Sequence, residues 1–247
     1  MGLRSEIILA MEVKIEGQLS SEERALLVSA VCSGDVKPKV VLEVGTWLGG
    51  GSTLHILRAL EKNGEGRLWG IEADLGIYEE MLQNLRRAAP AAMRRFTPLF
   101  GFSKKVIPQW LKEQGEGFQI DLAFLDGGNR PGEQIMEFKL LDPRIPVGGI
   151  LMAHDAKMRK GKWLVPYVSR LDNWESKVHE SEVGLFYARK TALQPSASSL
   201  RSARMALLGR RLSLVEIASA VLPSSICGFV LRLLPASMSR RLSEGRK

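Results

Sequence analysis

Apolar positions follow two different spacings along the first 190 residues. Short runs rich in β-branched and aromatic side chains recur at 40–44, 67–71, 96–100, 120–125 and 149–153. Between them, at 52–62, 77–89, 104–113 and 133–141, apolar residues return every three or four positions. The first pattern predicts buried strands and the second predicts helices with one apolar face. Ahead of these, 19–32 predicts an amphipathic helix. Ser20 or Ser21 offers its N-cap, Glu22 and Glu23 fill its first turn, and Leu26, Leu27 and Val31 form its apolar face. Beyond them, 162–171 predicts a further helix, and 177–180 with 184–189 a closing strand pair. Uninterrupted runs such as Val40-Val41-Leu42 belong to strands covered on both faces. Alternation at this pitch predicts an α/β fold, a parallel, doubly wound sheet with helices on both sides.

From residue 191 the pattern changes. Residues 191–199 read as a linker rich in Ser and Ala, 200–220 as a helix, and 226–234 as an apolar run bounded by Pro223 and Pro235. The expected organisation is therefore one domain over 1–190 and a basic amphipathic helical tail over 191–247. That tail holds nine basic side chains against Glu216 and Glu244, a net +7 of the chain's +8. The body carries only +1, so the pI near 9.7 does not mark it as a nucleic-acid binder. The tail's charge fits self-association (a homodimer contact), packing on the domain, or peripheral contact with an anionic membrane surface. With 45% hydrophobic residues and a mean hydropathy of −0.03, the composition is that of a globular chain. Cys32 and Cys227 have no metal-ligand spacing and form no disulfide framework. The N-terminus lacks the apolar core of a secretory signal and no run of about 20 apolar residues is uninterrupted, so a cytoplasmic protein is expected.

In doubly wound sheets, ligands bind beyond the C-terminal ends of the strands. The polar and glycine residues of this chain gather there: Glu43 to Ser52, Glu72, Gly101 to Ser103, Asp126 to Asn129, and His154 with Asp155. Gly45 permits a sharp turn off the first strand. The glycines at 49–51 let backbone approach a ligand, and Ser52 opens a helix whose free N–H groups attract an anion. Glu72, ending the second strand, can accept both hydroxyls of a ribose. The spacing departs from the dinucleotide fingerprint because Trp47 stands where the second glycine is required. A ligand with a ribose and no pyrophosphate fits better, and a nicotinamide dehydrogenase does not.

Glu43-x-Gly45-x-x-x-Gly49 followed by Ser52, together with the acid ending strand two, resembles the class I S-adenosylmethionine-dependent methyltransferases. The stretches 100–103, 121–129 and 146–155 narrow the resemblance to the catechol/caffeoyl-type O-methyltransferases and their bacterial natural-product relatives, over about 18–190. It implies a mostly parallel, seven-stranded Rossmann-like sheet with strand seven antiparallel between strands five and six, S-adenosylmethionine as cofactor, and a small-molecule acceptor methylated at a hydroxyl oxygen. Glu43, Gly45, Trp47, Gly49 and Ser52 are implied around its methionine part, Glu72 at the ribose, Ser103 at the adenine and Asp126 near the sulfonium. Thr46, Gly51 and Ala73 are expected among the cofactor-binding residues as well. Asp155 matches the first of the paired metal ligands of metal-dependent members, so Asp126 and Asp155 form a candidate Mg²⁺ site. Ala156 replaces the second ligand of that pair, and Asn129 stands where relatives carry a lysine or histidine base.

His154 is the candidate general base, because an imidazole titrates near neutrality. His55 and His179 fall within predicted elements and read as structural. Lys157 to Trp163 follows strand five, where a substrate loop would sit, and Trp163, Tyr167 and Trp174 either wall an acceptor or pack an extra helix. Two alternatives stand beside the methyltransferase reading: a cofactor-binding protein without catalysis, and a nucleic-acid methyltransferase suggested only by the basic tail. The chain lacks the Asn-Pro-Pro-aromatic motif of the latter, so no nucleic-acid partner is expected.

Overall fold

The computed structural model describes residues 15–33 and 37–211. Seven strands form one sheet: β1 (Val40–Val44), β2 (Arg67–Glu72), β3 (Phe96–Phe100), β4 (Leu122–Leu125), β5 (Ile150–Ala153), β6 (Trp174–His179) and β7 (Leu185–Lys190). Their order is β3-β2-β1-β4-β5-β7-β6. The pairings from β3 to β5 are parallel, and β7 runs antiparallel to both β5 and β6. The described helices are α1 (Ser21–Cys32), α2 (Thr53–Asn63), α3 (Leu75–Ala88), α4 (Ser103–Gln114), α5 (Pro131–Leu141), α6 (Gly161–Val168) and α7 (Ala197–Arg211).

The period-2 alternation of the central strands builds two cores, one on each face of the sheet. Val41, Leu122 and Phe124 join Leu27 of α1, Leu60 of α2 and Leu85 of α3. Their chain neighbours Leu42, Ala123 and Leu125 join Trp110 of α4, Phe138 of α5 and Tyr167 of α6 on the other side. All four β4 residues are buried, as a central strand covered on both faces requires. Burying a side chain such as Phe124 is worth roughly 1.5–3 kcal/mol, so the alternation also fixes strand register.

Register aligns the site. Val44 pairs with Ile71 and with Leu125, and Leu125 pairs with Ala153. The next residue on each strand or beyond it (Gly45, Glu72, Asp126 and His154) therefore emerges at one edge of the sheet. Strand order reverses between β1 and β4, opening the crevice beside that edge.

Two elements differ from expectation. β6 starts at Trp174, three residues earlier than its polar sequence predicts, because pairing with β7 reaches back to Lys190. α7 starts at Ala197, inside the stretch read as linker. Asp172 accepts from the Ser196 N–H at 2.9 Å and the Ser199 hydroxyl at 2.8 Å, and pins the first turn. Ala203 of α7 is buried in the second core, where Leu200 and Leu207 pack. Tyr167 and Trp174 flank Phe138 in that core, so they pack the domain. The predicted helix beyond Arg211, the apolar run at 226–234 and Cys227 lie outside the described residues. No described helix is long and apolar enough to cross a membrane.

Candidate functional site

The turn after β1 depends on glycine. Gly45 has φ +87°, and a Cβ there would lie 2.5 Å from the Gly127 nitrogen. The two strand-end loops touch through backbone at this point. Gly50 serves a second close approach, since a Cβ there would lie 2.3 Å from the Glu16 carbonyl oxygen as residues 15–18 cross over the loop. Between them, Trp47 adopts φ +45°, a costly conformation for a bulky residue. Its N–H donates to Glu72 Oε2 at 2.9 Å. Glu72 Oε1 accepts from the N–H groups of Ala73 (2.8 Å) and Asp74 (3.1 Å), so one carboxylate ties the ends of β1 and β2 together.

Above this turn lies a cavity of about 390 Å³, a size typical of small-molecule sites. Its wall includes Gly45, Thr46, Trp47, Gly51 and Ser52 from the first loop and Glu72 with Ala73 from the second. Ser103 and Asp126 complete the set of predicted residues on the wall, and Asn129 lies there too. Thr46 Oγ1 is buried without a hydrogen-bond partner.

Four predicted residues are not on the wall. Gly49 faces Leu85 and Met81 of α3. Glu43 lies fully buried behind the loop, and its Oε1 accepts from the Ser52 hydroxyl. Burial pushes its carboxyl up to about 8, with the hydrogen bond from Ser52 opposing. Ser52 occupies the N-cap position of α2, but its hydroxyl is committed to Glu43 instead of capping the helix. His154 and Asp155 form the third and fourth exceptions, in a cluster set behind Asp126.

In that cluster the His154 ring, 2% exposed, places Nδ1 3.2 Å from Asp126 Oδ1 and 3.7 Å from Asp155 Oδ1. Its Nε2 lies 3.4 Å from Glu23 Oε2, at ion-pair distance but without hydrogen-bond alignment. Burial alone would lower the His154 pKa, but the carboxylates of Asp126, Asp155 and Glu23 outweigh it and hold it above the ordinary value. Lys160 completes the group: its Nζ lies 2.6 Å from Asp126 Oδ1 and 2.8 Å from Asp155 Oδ2. Burial opposes the Lys160 charge as well, and the two aspartates again prevail, raising its pKa.

Three residues of the cavity and of the cluster behind it carry no site signal in the sequence pattern. Glu23 reads as a first-turn acid, and it does form a capping box with Ser20, accepting from the Ser20 N–H at 2.9 Å. Its Oε1 also accepts from the Ser181 hydroxyl at 2.6 Å, and the residue is buried beside His154. Lys160 is one of several cations after strand five. Glu137 lies on α5, lines the cavity, and accepts from the Ser103 hydroxyl at 2.6 Å through Oε1, while its buried Oε2 has no partner. Burial raises its carboxyl to about 6.

Residues 42–156 match a family model described as a methyltransferase domain. No curated protein sequence matches the chain. Among solved structures, the chain is similar to the O-methyltransferase TomG from Streptomyces achromogenes, involved in tomaymycin synthesis and solved with SAM. The TM-score is 0.57 at 19% identity, over 71% of this chain and 82% of that one. An O-methyltransferase from Bacillus cereus, solved in complex with SAH, gives 0.54 at 18% identity over 70% and 83%. A methyltransferase from Geobacter sulfurreducens gives 0.55 at 15% identity over 70% and 80%. Residues 42–156 are thus similar to a methyltransferase domain, and the seven-stranded sheet that holds them has the Rossmann-like fold shared with these solved methyltransferases.

Proposed function

We propose that the chain transfers a methyl group from S-adenosylmethionine to a hydroxyl oxygen of a small molecule. The observation that carries this reading is the cavity itself. A carboxylate at the end of β2, a glycine-lined turn at the end of β1 and a carboxylate at the end of β4 all open onto one 390 Å³ space. The residues present fit the cofactor. Glu72 would accept from its ribose hydroxyls, while Thr46 Oγ1, which lacks a protein partner, and the backbone around Gly45 and Gly51 would meet its methionine part. Ser103 and Glu137 would hold the adenine, with Glu137 Oε2 free to accept from an amino group. When bound, the cofactor supplies a methyl group activated on a sulfonium.

The protein's task is then to orient the acceptor and to receive its proton. Asp126 suits this role, because it lines the cavity and its side chain keeps 12% exposure. His154 and Lys160 both contact Oδ1, so Oδ2 would take the hydrogen bond from the acceptor hydroxyl. His154 acts from behind, holding Asp126 in place, since both of its ring nitrogens face carboxylates. The test is transfer of labelled methyl from S-adenosylmethionine to a panel of small phenols and alcohols, with nucleic acid in a parallel arm. Label in a hydroxyl acceptor is the expected result. Label only in nucleic acid, or tight cofactor binding with no transfer to any acceptor, would move the reading to one of the two alternatives.

A further inference from the structure

We infer that Lys160 is a tethered cation standing where a divalent metal would otherwise bridge Asp126 and Asp155, which makes methyl transfer independent of added metal. The inference rests on the methyltransferase reading and adds to it a positioning residue. Asp126, His154 and Asp155 bring three ligand atoms within 4.8 Å of one another, so by residue type alone they resemble a metal site. The donor chemistry between the two carboxylates is nevertheless already complete. The Lys160 ammonium has three protons and three oxygens around it: Asp126 Oδ1 at 2.6 Å, Asp155 Oδ2 at 2.8 Å and the Asp126 carbonyl at 3.3 Å. Its side chain is 6% exposed. Magnesium needs close to six oxygens at about 2.0–2.1 Å. To bind between these carboxylates it would have to displace a buried ammonium from its partners. Ala156, next in the chain, supplies no further donor.

The backbone is built to hold Lys160 there. Asp155 turns the chain with φ +57°, and the N–H groups of Ala156 and Lys157 donate to the carbonyls of Gly184 and Val183 at 2.9 Å each. Lys160 is the N-cap of α6, and the next residue, Gly161, packs so closely that a Cβ would lie 2.4 Å from the Ala156 carbonyl oxygen. A bulkier residue at 161 would push the helix start, and Lys160 with it, away from Asp155. The ammonium thereby fixes Asp126, the residue that reaches the cavity, in the same way that a shared metal ion would.

Mn²⁺ serves as the probe, read by electron paramagnetic resonance on the full-length chain, with turnover measured with and without EDTA. The wild-type protein is expected to show no saturable Mn²⁺ binding and less than twofold change in turnover on chelation. Lys160→Ala is expected to lose at least tenfold in turnover, to gain Mn²⁺ binding between the vacated carboxylates, and to recover part of its turnover when Mn²⁺ or Mg²⁺ is added. A merely structural lysine would not be rescued by a metal. Wild-type protein that binds one Mn²⁺ and loses activity in EDTA overturns the inference. So does a folded Lys160→Ala variant with unchanged turnover and no Mn²⁺ binding. If that variant does not fold, the wild-type arm alone decides. S-adenosylhomocysteine titration of the wild type separates the two claims: without it and without turnover the methyltransferase reading fails, while the Mn²⁺ signal still judges Lys160.

Discussion

Glu72→Ala is expected to lower affinity for S-adenosylhomocysteine a hundredfold or more. In the free protein this carboxylate accepts from the N–H groups of Trp47, Ala73 and Asp74. Hydrogen bonds to an ionised group contribute about 1.5–3 kcal/mol each. On the proposed reading, alanine removes two such bonds to the ribose, which amounts to roughly two to four orders of magnitude in Kd. It also releases Trp47, whose positive φ is held by Glu72, so the glycine turn loses its preorganised shape. Glu72→Gln keeps an oxygen for Trp47 and should lose less, on the order of tenfold. Calorimetric titration of both variants checks this, and a Glu72→Ala affinity within threefold of wild type would contradict the assignment.

The second large effect concerns stability. Glu43 is fully buried, and its carboxyl is pushed from 4.5 to about 8. Below pH 4.5 both folded and unfolded chains hold the proton, so this group contributes no pH dependence. Above it the unfolded chain releases the proton, while the folded chain keeps it until about pH 8. The folded state binds more protons across that window, so stability falls as pH rises, by about 1.4 kcal/mol per unit. Glu43→Gln keeps the size and the oxygen that accepts from Ser52, and has no proton to lose. Relative to wild type, the variant should gain about 3–5 kcal/mol between pH 5 and pH 8. In a chain of this size that is on the order of 10 °C in Tm. Thermal unfolding at several pH values reads the slope directly, and parallel curves for the two proteins would refute the buried-acid account.

The central sheet was legible in the sequence because its strands are buried on both faces. Val40-Val41-Leu42 and Leu122 to Leu125 leave little room for another assignment once a glycine cluster or an acid follows each. Strand-end logic then located Gly45, Glu72, Ser103 and Asp126, since parallel register brings those ends to one edge. Elements whose identity depends on a distant partner were harder to read. Trp174 to Ser176 has no strand pattern of its own and extends because β7 lies beside it. The start of α7 was hidden because its capping Ser196 lies among residues that read as a linker, and the carboxylate that anchors this turn, Asp172, lies far back in the chain.

The charged cluster follows the same rule. Glu23 and Lys160 look like solvated helix-end charges until the fold sets them beside His154 and Asp155. Position after a strand identified His154 but did not give its direction. The ring is held between Asp126 and Glu23, and on the proposed reading this leaves Asp126 to meet the acceptor.

Calorimetric titration of S-adenosylmethionine into the full-length protein, in the presence of EDTA, tests the central claim most directly. Saturable binding at one site per chain is the predicted result. A folded protein that takes up no cofactor under that condition, or only after a divalent metal is restored, would contradict the account of the cavity and of the cations behind it.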